Sequence, residues 1–408
     1  MTSTPPDTAP ASAGPPPVVG DGADLFAWLR ETRRTDPVWI DPASGACHVL
    51  THADALRVLS EPAVFSSDFS ALAPPPEPGL PNFAEASLSV TDPPFHGRLR
   101  KLVSQAFTPR TVAGLEPRIA EVTRELLDAA AGREQLDLVD HLAGPLPVVV
   151  IAELLGIPTS DREMFRRWAE YLLPPSGDVT AGQFVEGGYA KTRAAELNEM
   201  ADYLLSHVRD RRARSRDDLL SRLVAAEVDG ERLTDKQTVN FAAFMLLAGH
   251  LTTTLLLSNA LLCFEETPGS LSLLREDPSA VPTALEEVLR HRPPVVFLYR
   301  LTREDTRIGA VDVPAGRIVV TWIVSANRDE RQFPDADRFD PRRTPNAHLT
   351  FSHGIHFCLG APLARMESSI VLRALLDRYR DIACGEPEYH QRPDIFGVTR
   401  LPVTVRAA

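Results

Sequence analysis

Two short apolar runs, Val38-Trp39-Ile40 and Cys47-His48-Val49-Leu50, flank the turn signals Asp41, Pro42, Ser44 and Gly45, and this alternation predicts a β-hairpin over 37–51. The period changes at His52-Ala53-Asp54-Ala55-Leu56. From there, and again from 96 to 217, apolar residues recur at helical spacing, broken at Pro109, Pro145, Pro147, Pro158, Pro174 and Pro175. Residues 241–264 are apolar on every side, hold no Asp, Glu, Lys or Arg, and are long enough to span a bilayer. Their centre, Ala248-Gly249-His250-Leu251-Thr252-Thr253-Thr254, is too polar for lipid, so the expected setting is the interior of a large protein. A further helix is predicted over 282–291. After Pro293-Pro294 the pattern turns to short strands at 295–301, 307–313 and 318–324, then to a helix over 363–379 and short strands near the end. There is no internal repeat, and the strands are too few and scattered for a doubly wound sheet. The expected class is mainly α with small β-sheets.

Composition narrows the picture further. The first 22 residues, with prolines at 5, 6, 10, 15, 16 and 17, have neither a basic start nor an apolar stretch, and predict a flexible tail rather than a signal peptide. Residues 66–94 predict a long loop with prolines at 74, 75, 76, 78 and 81. In 408 residues, 43 Lys+Arg against 55 Asp+Glu give a net charge of −12. An acidic chain without a basic run is no partner for nucleic acid. The length alone predicts two or three domains, or one large one. Cys47, Cys263, Cys358 and Cys384 are widely spaced and form no CxxC pair, which excludes a disulfide scaffold.

The densest chemistry lies in His348-Leu349-Thr350-Phe351-Ser352-His353-Gly354-Ile355-His356-Phe357-Cys358-Leu359-Gly360. Three histidines and a cysteine in so short a run suggest a metal, with zinc the plain candidate. Against zinc, no other cysteine is spaced to complete a set of paired ligands. Gly354 and Gly360 flank Cys358 instead, where they let the backbone curl around one sulfur and a flat ligand approach. An inert cysteine in a glycine-rich turn is the alternative.

Taken with motifs elsewhere, this segment resembles the cytochrome P450 haem-thiolate enzymes of bacterial, soluble type. Their Phe-x-x-Gly-x-x-x-Cys-x-Gly loop is met by Phe351, Gly354, Cys358 and Gly360, with Ser352 where many members have glycine. The resemblance covers about residues 23–405. It implies a triangular-prism P450 fold, one catalytic domain over 23–408, and haem b with Cys358 as axial thiolate. Glu287 and Arg290 meet the family's Glu-x-x-Arg, and Arg338 is the expected third member of that ion cluster. The haem propionates would be held by His96 and Arg100, by Arg300, and by His356. In the apolar helix, Ala248, Gly249 and Thr252 would line the oxygen pocket. Leu251 replaces the acid that usually relays protons, which leaves water, Thr252, His250 or the substrate's own polar groups for that task. The substrate pocket would draw on Leu80, Phe83, Phe244, Leu247, Leu251, Val295, Val296, Phe297, Ile395 and Phe396, with the loop at 65–89 and the segment at 172–190. These residues are mostly aliphatic and aromatic, so a largely apolar small molecule is expected, free or tethered to a carrier protein.

Such enzymes tailor secondary metabolites and antibiotics. The implied activity is hydroxylation or epoxidation, with oxidative ring closure or carbon–heteroatom coupling as the alternative that Leu251 raises. Electrons would come from an acidic ferredoxin and its NAD(P)H-driven ferredoxin reductase, docking near Arg98, Arg100, Lys101, Arg110 and Arg365. A cytoplasmic monomer with no membrane anchor is expected.

Overall fold

The structure, a computed structural model, describes residues 16–72, 81–83, 85, 87–171 and 193–407. It begins with α1 (Ala23–Thr35), then β1 (Val38–Ile40) and β2 (Cys47–Val49), the hairpin that the alternation predicts. Val19 is buried among Leu25, Leu29 and Phe396, so the packed chain starts ahead of the boundary expected at residue 23. This is hydrophobic anchoring of a stretch whose prolines had read as tail. α2 (His52–Ser60) starts where Thr51 accepts a hydrogen bond from the Asp54 N–H, and β3 (Phe65–Ser66) follows.

A helical layer comes next, comprising α3 (Phe95–Ala106), α4 (Pro109–Ala113) and α5 (Glu116–Ala129), then, after β4 (Gln135–Asp137), α6 (Pro145–Leu154) and α7 (Arg162–Tyr171). α8 (Ala194–Ala213) and α9 (Leu219–Ala225) lead through β5 (Glu227–Val228) and β6 (Glu231–Arg232) to α10 (Asp235–Glu265). α10 starts in a capping box, in which the Thr234 side chain accepts from the Gln237 N–H and the Gln237 side chain accepts from the Thr234 N–H. By length and composition it could cross a membrane, but most of it is buried within the protein, packed against α6, α8, α12 and α14. That accounts for its lack of a polar face.

α11 (Ser270–Glu276) and α12 (Val281–His291) precede β7 (Phe297–Thr302), β8 (Thr306–Ile308), β9 (Val311–Val313), β10 (Ile318–Trp322) and α13 (Ile323–Ala326). The chain ends in α14 (Ala361–Arg378), β11 (Tyr379–Cys384), β12 (Glu388–Tyr389), β13 (Val398–Arg400) and β14 (Pro402–Ala407). The main sheet has the order β1-β2-β10-β7-β3, in which β10 runs parallel to β2 and antiparallel to β7. β11-β14-β4 form a second sheet, and β5-β6, β8-β9 and β12-β13 are two-stranded ribbons. The largest apolar cluster lies among the helices, and smaller ones sit beneath the main sheet.

Candidate functional site

The glycine-rich loop is assembled between α13 and α14. Asn327, at the end of α13, accepts from the Leu349 N–H (2.8 Å) and donates to Thr350 Oγ1 (2.9 Å), and Thr350 Oγ1 donates on to the Leu289 carbonyl (2.7 Å). The Cys358 N–H then donates to the Phe351 carbonyl (2.9 Å), closing the loop on itself. Gly354 has φ +64°, and a Cβ there would lie 3.0 Å from the Leu59 carbonyl, so glycine is required both by conformation and by α2 behind it. Ser352 also has φ +62°, which shows why glycine is common at that position.

Cys358 is accessible although protein atoms crowd it, as for a side chain facing an internal hollow. Burial pushes its thiol pKa up. The N–H groups of Gly360 and Ala361 at the start of α14, and the charges of Arg100 and Arg365, pull it back toward thiolate. Arg365 lies 4.6 Å over the Phe351 ring and is held by a bidentate pair with Glu286 (2.6 and 2.8 Å). Burial raises the Glu286 pKa, but Arg365 and His348 outweigh it and bring it down to about 2.

The histidines of this loop diverge. His348 meets Glu286, His353 meets Ser60, and His356 Nδ1 meets the Leu88 carbonyl. Among the described residues no group of three or more His, Cys, Asp or Glu could hold a metal ion, so the zinc reading fails on geometry.

Glu287 and Arg290 pair at 2.8 Å with both side chains fully buried. The expected third member, Arg338, is corrected to Arg343, whose Nε donates to Glu287 Oε1 (3.0 Å). Asn346 Nδ2 and the Asp340 N–H add two more donors to Glu287. Arg338 is exposed and contributes its backbone, the carbonyl accepting from Arg290 (3.0 Å) alongside those of Asn327 and Ala336. Arg290 needs acceptors for its remaining N–H groups, and a carbonyl serves better there than a second cation. The network welds α12 to the segment leading into the cysteine loop.

The rings of His96 and His356 pack with centroids 4.5 Å apart at a tilt of 55°, and the Nε2 of each is buried without a hydrogen-bond partner among the described residues. Arg100 donates to the Phe357 carbonyl (2.7 Å), and Arg300, 6% exposed, to the carbonyl of its neighbour Tyr299 (2.8 Å). Burial lowers the pKa of His356 to about 4 and that of Arg300 to about 10. No ion pair forms between either arginine and a carboxylate of the described residues. Cations so placed cost several kcal/mol unless an anion joins them. This cluster therefore suits a ligand with two carboxylates, and an accessible cysteine beside it suits that ligand's metal: the donor set fits haem.

Along α10, the middle of a mostly buried helix opens up: Ala248 is exposed, and Phe244, Met245, Leu247, Gly249, His250 and Thr252 are partly open, with Phe244, Ala248 and Thr252 on one face at four-residue spacing. Thr252 Oγ1 donates to the Ala248 carbonyl (2.7 Å), leaving its lone pairs to accept. Leu247 lies beside the stripe, and Leu251 is in a small cluster with Leu255 and Ile395.

Two expectations are corrected here. A Cβ on Gly249 would meet Ile151 Cδ1 at 2.7 Å, so its missing side chain makes room for α6 rather than for oxygen. His250 is two residues from Ala248, about 200° around the helix. Its ring lies on another face than Ala248, the residue partly open but its Nδ1 buried and without a partner among the described residues, and its pKa is lowered to about 4 by burial and by Arg166.

Of the expected pocket residues, Val295 is partly open and bridges to Ile395. Phe83 packs against the helical core. Val296, Phe297 and Phe396 are corrected to core, buried with Trp322 and Leu25, because the side chains of this stretch that turn inward fill the space beneath the main sheet. Leu80 and the segment 172–190 lie outside the described residues.

Sequence reasoning missed Arg343, Asn346, Ile151 and Asp92. For Asp92 a signal existed in Thr91-Asp92-Pro93-Pro94, which reads as a helix start and carries a carboxylate just ahead of His96.

The family described as Cytochrome P450 matches residues 58–404. The chain is 43% identical to the erythromycin C-12 hydroxylase of Saccharopolyspora erythraea over 95% of its own length and 96% of that protein's. It is 42% identical to the cyclomarin C epoxidase CymV of Salinispora arenicola over 98% and 99%. Among solved structures, ligand-free cytochrome P450 TbtJ1 superposes with a TM-score of 0.87 at 43% identity, covering 96% of this chain and 100% of that one. The open form of cytochrome P450 EryK from S. erythraea gives 0.86 at 41%, covering 96% and 98%.

Proposed function

The chain belongs to the cytochrome P450 family, and from that premise we propose that this monooxygenase hydroxylates or epoxidises a small, largely apolar intermediate of bacterial secondary metabolism, free or carrier-tethered. The family binds haem b, which when bound supplies the activation of dioxygen. Cys358 is the residue to ligate its iron, and His96, Arg100, Arg300 and His356 are those to meet its propionates. The observation that carries the reading is the open middle of a mostly buried helix, where Phe244, Ala248 and Thr252 share one face. It offers apolar contact along most of its length and one hydroxyl at its end, which suits an apolar substrate held beside a site of proton transfer.

The lone pairs of Thr252 Oγ1 are free to accept from a water beside it. Leu251 carries no proton and His250 lies on another face, so protons reach Thr252 through water or through the substrate's own polar groups. The apolar setting of Leu251 also favours a second reading, oxidative ring closure or carbon–heteroatom coupling, in which the substrate's own polar groups relay the protons. The chain from Val19 onward acts as one catalytic domain, in a cytoplasmic monomer. A ferredoxin, reduced by its reductase, docks on the α3 side, where Lys101 and Arg110 are exposed and Arg98 keeps half its side-chain surface open in an exposed pair with Glu231. Arg365 is committed to Glu286 and is dropped from that face.

A reduced-CO difference spectrum tests the ligation: a band near ~450 nm that Cys358→Ser abolishes is expected, and its absence from folded, haem-loaded protein refutes Cys358 as ligand. Product analysis with candidate intermediates separates oxygen insertion from coupling. For proton delivery, Leu251→Glu is expected to change product formed per electron and the solvent isotope effect. No change in either sinks the water-relay reading.

A further inference from the structure

The groups read here as propionate partners come from separate segments: His96 and Arg100 from α3, Arg300 from β7, and His356 from the cysteine loop. Among the described residues Arg300 makes no side-chain bond except to its own neighbour's carbonyl, and its place relative to α3 is held through the elements that bear it. Asp92 lies between them, 8% exposed. Its Oδ2 accepts from Arg303 NH2 (2.6 Å) and from Ser66 Oγ, and its Oδ1 from the Ser67 N–H (3.0 Å). Its carbonyl accepts from the His96 N–H (2.9 Å), in the first turn of α3. Ser66 pairs with Leu301 across β3 and β7, and the Arg303 N–H donates to the Val64 carbonyl (2.9 Å). One buried carboxylate thus ties the start of α3 to the β3–β7 edge that bears Arg300.

We propose that Asp92 is a positioning residue for the haem propionate site: it sets the spacing between His96 and Arg300 and is the resident anion facing the buried Arg300. The proposal rests on the reading of those residues as propionate partners. Its charge acts as well as its geometry. Burial lowers the basicity of both His96 and Arg300, and Asp92 draws both back toward the protonated form. An isosteric amide keeps the volume, loses the charge, and turns a donor toward groups that are themselves donors.

The test measures haem transfer from the holoenzyme to excess apomyoglobin, with resonance Raman of the propionate bending mode, in Asp92→Asn, Arg300→Leu and the double variant. Asp92→Asn is expected to release haem roughly 10- to 100-fold faster, the usual cost of losing an outer-shell partner, and to move the propionate band. Asp92→Glu should restore much of the retention. If Asp92 acts through Arg300, the double variant falls well short of the product of the single effects. Wild-type release from Asp92→Asn overturns the proposal, as does a double variant whose effect equals that product, since a merely structural contribution adds independently. If Arg300→Leu alone changes neither rate nor band, the propionate assignment fails and the proposal with it, which is a separate result. Should Asp92→Asn not accumulate as folded protein, Arg303→Met removes one of its donors from a half-exposed position, and the same cycle with Arg300→Leu decides.

Discussion

Glu367 lies on α14, 2% exposed, and its Oε2 has no hydrogen-bond partner among the described residues. Burial is the cause acting on its carboxyl, and it pushes the pKa from 4.5 up to about 8. At about 1.36 kcal/mol per pKa unit, the difference between 4.5 and about 8 corresponds to roughly 5 kcal/mol against the charged form. The folded protein keeps the proton that the unfolded chain has already released. Stability from this group is therefore fully present below pH ~4.5, falls by about 1.36 kcal/mol per pH unit as pH rises, and levels off above pH ~8. Glu367→Gln places a neutral side chain of the same shape in the site and removes that slope. Urea unfolding of both proteins at equal haem occupancy, at about pH 5.5 and about pH 7.5, measures it. Over those ~2 pH units the variant should gain about 2.7 kcal/mol relative to wild type. Only the change in the difference matters, so any fixed cost of burying the amide cancels. A difference between the two proteins that stays constant within ~0.5 kcal/mol across that range would falsify the neutral, unpartnered carboxyl and require a charged group with a partner in its place.

Arg343→Ala leaves one side of the fully buried Glu287 unmatched and should cost about 3 kcal/mol, whereas Arg338→Ala, which keeps the carbonyl that Arg290 uses, should stay within ~0.5 kcal/mol. Thermal unfolding compares them, and equal losses would restore Arg338 to the network. Gly249→Ala adds up to ~1 kcal/mol of helix propensity but meets Ile151 Cδ1, so it should be neutral or destabilising alone and stabilising once Ile151→Val removes that atom. Additive effects in unfolding midpoints would refute the contact. Ser352→Gly relieves a side chain held at φ +62° and should raise stability by about 1 kcal/mol without altering the CO spectrum. A loss of stability would show that Ser352 contributes more through its side chain than its backbone costs.

The parts of this molecule legible in its sequence are those set by local spacing. The turn residues between Ile40 and Cys47 specify a hairpin, Glu287 and Arg290 share a face because they are three apart, and the residues around Cys358 encode their own loop. What stayed hidden depends on partners distant in the chain. Arg338 and Arg343 are equally plausible until the backbone around residue 335 decides which presents a guanidinium to Glu287 and which only a carbonyl. Val296 and Phe396 look like pocket residues because apolar side chains suit a pocket and a core alike. α10 is the sharpest case. An amphipathic helix announces its buried face, but one that is apolar all round gives no phase, so Gly249 and His250 could not be oriented from sequence. The phase comes instead from contacts: Phe244, Ala248 and Thr252 keep a four-residue register on one face, and Gly249 on its flank meets Ile151. In a buried helix the functional face is the one left incompletely packed. Its register is set by the neighbour packed on its flank, so Ile151 on α6, closed against Gly249, orients Thr252 as much as any residue of α10 does.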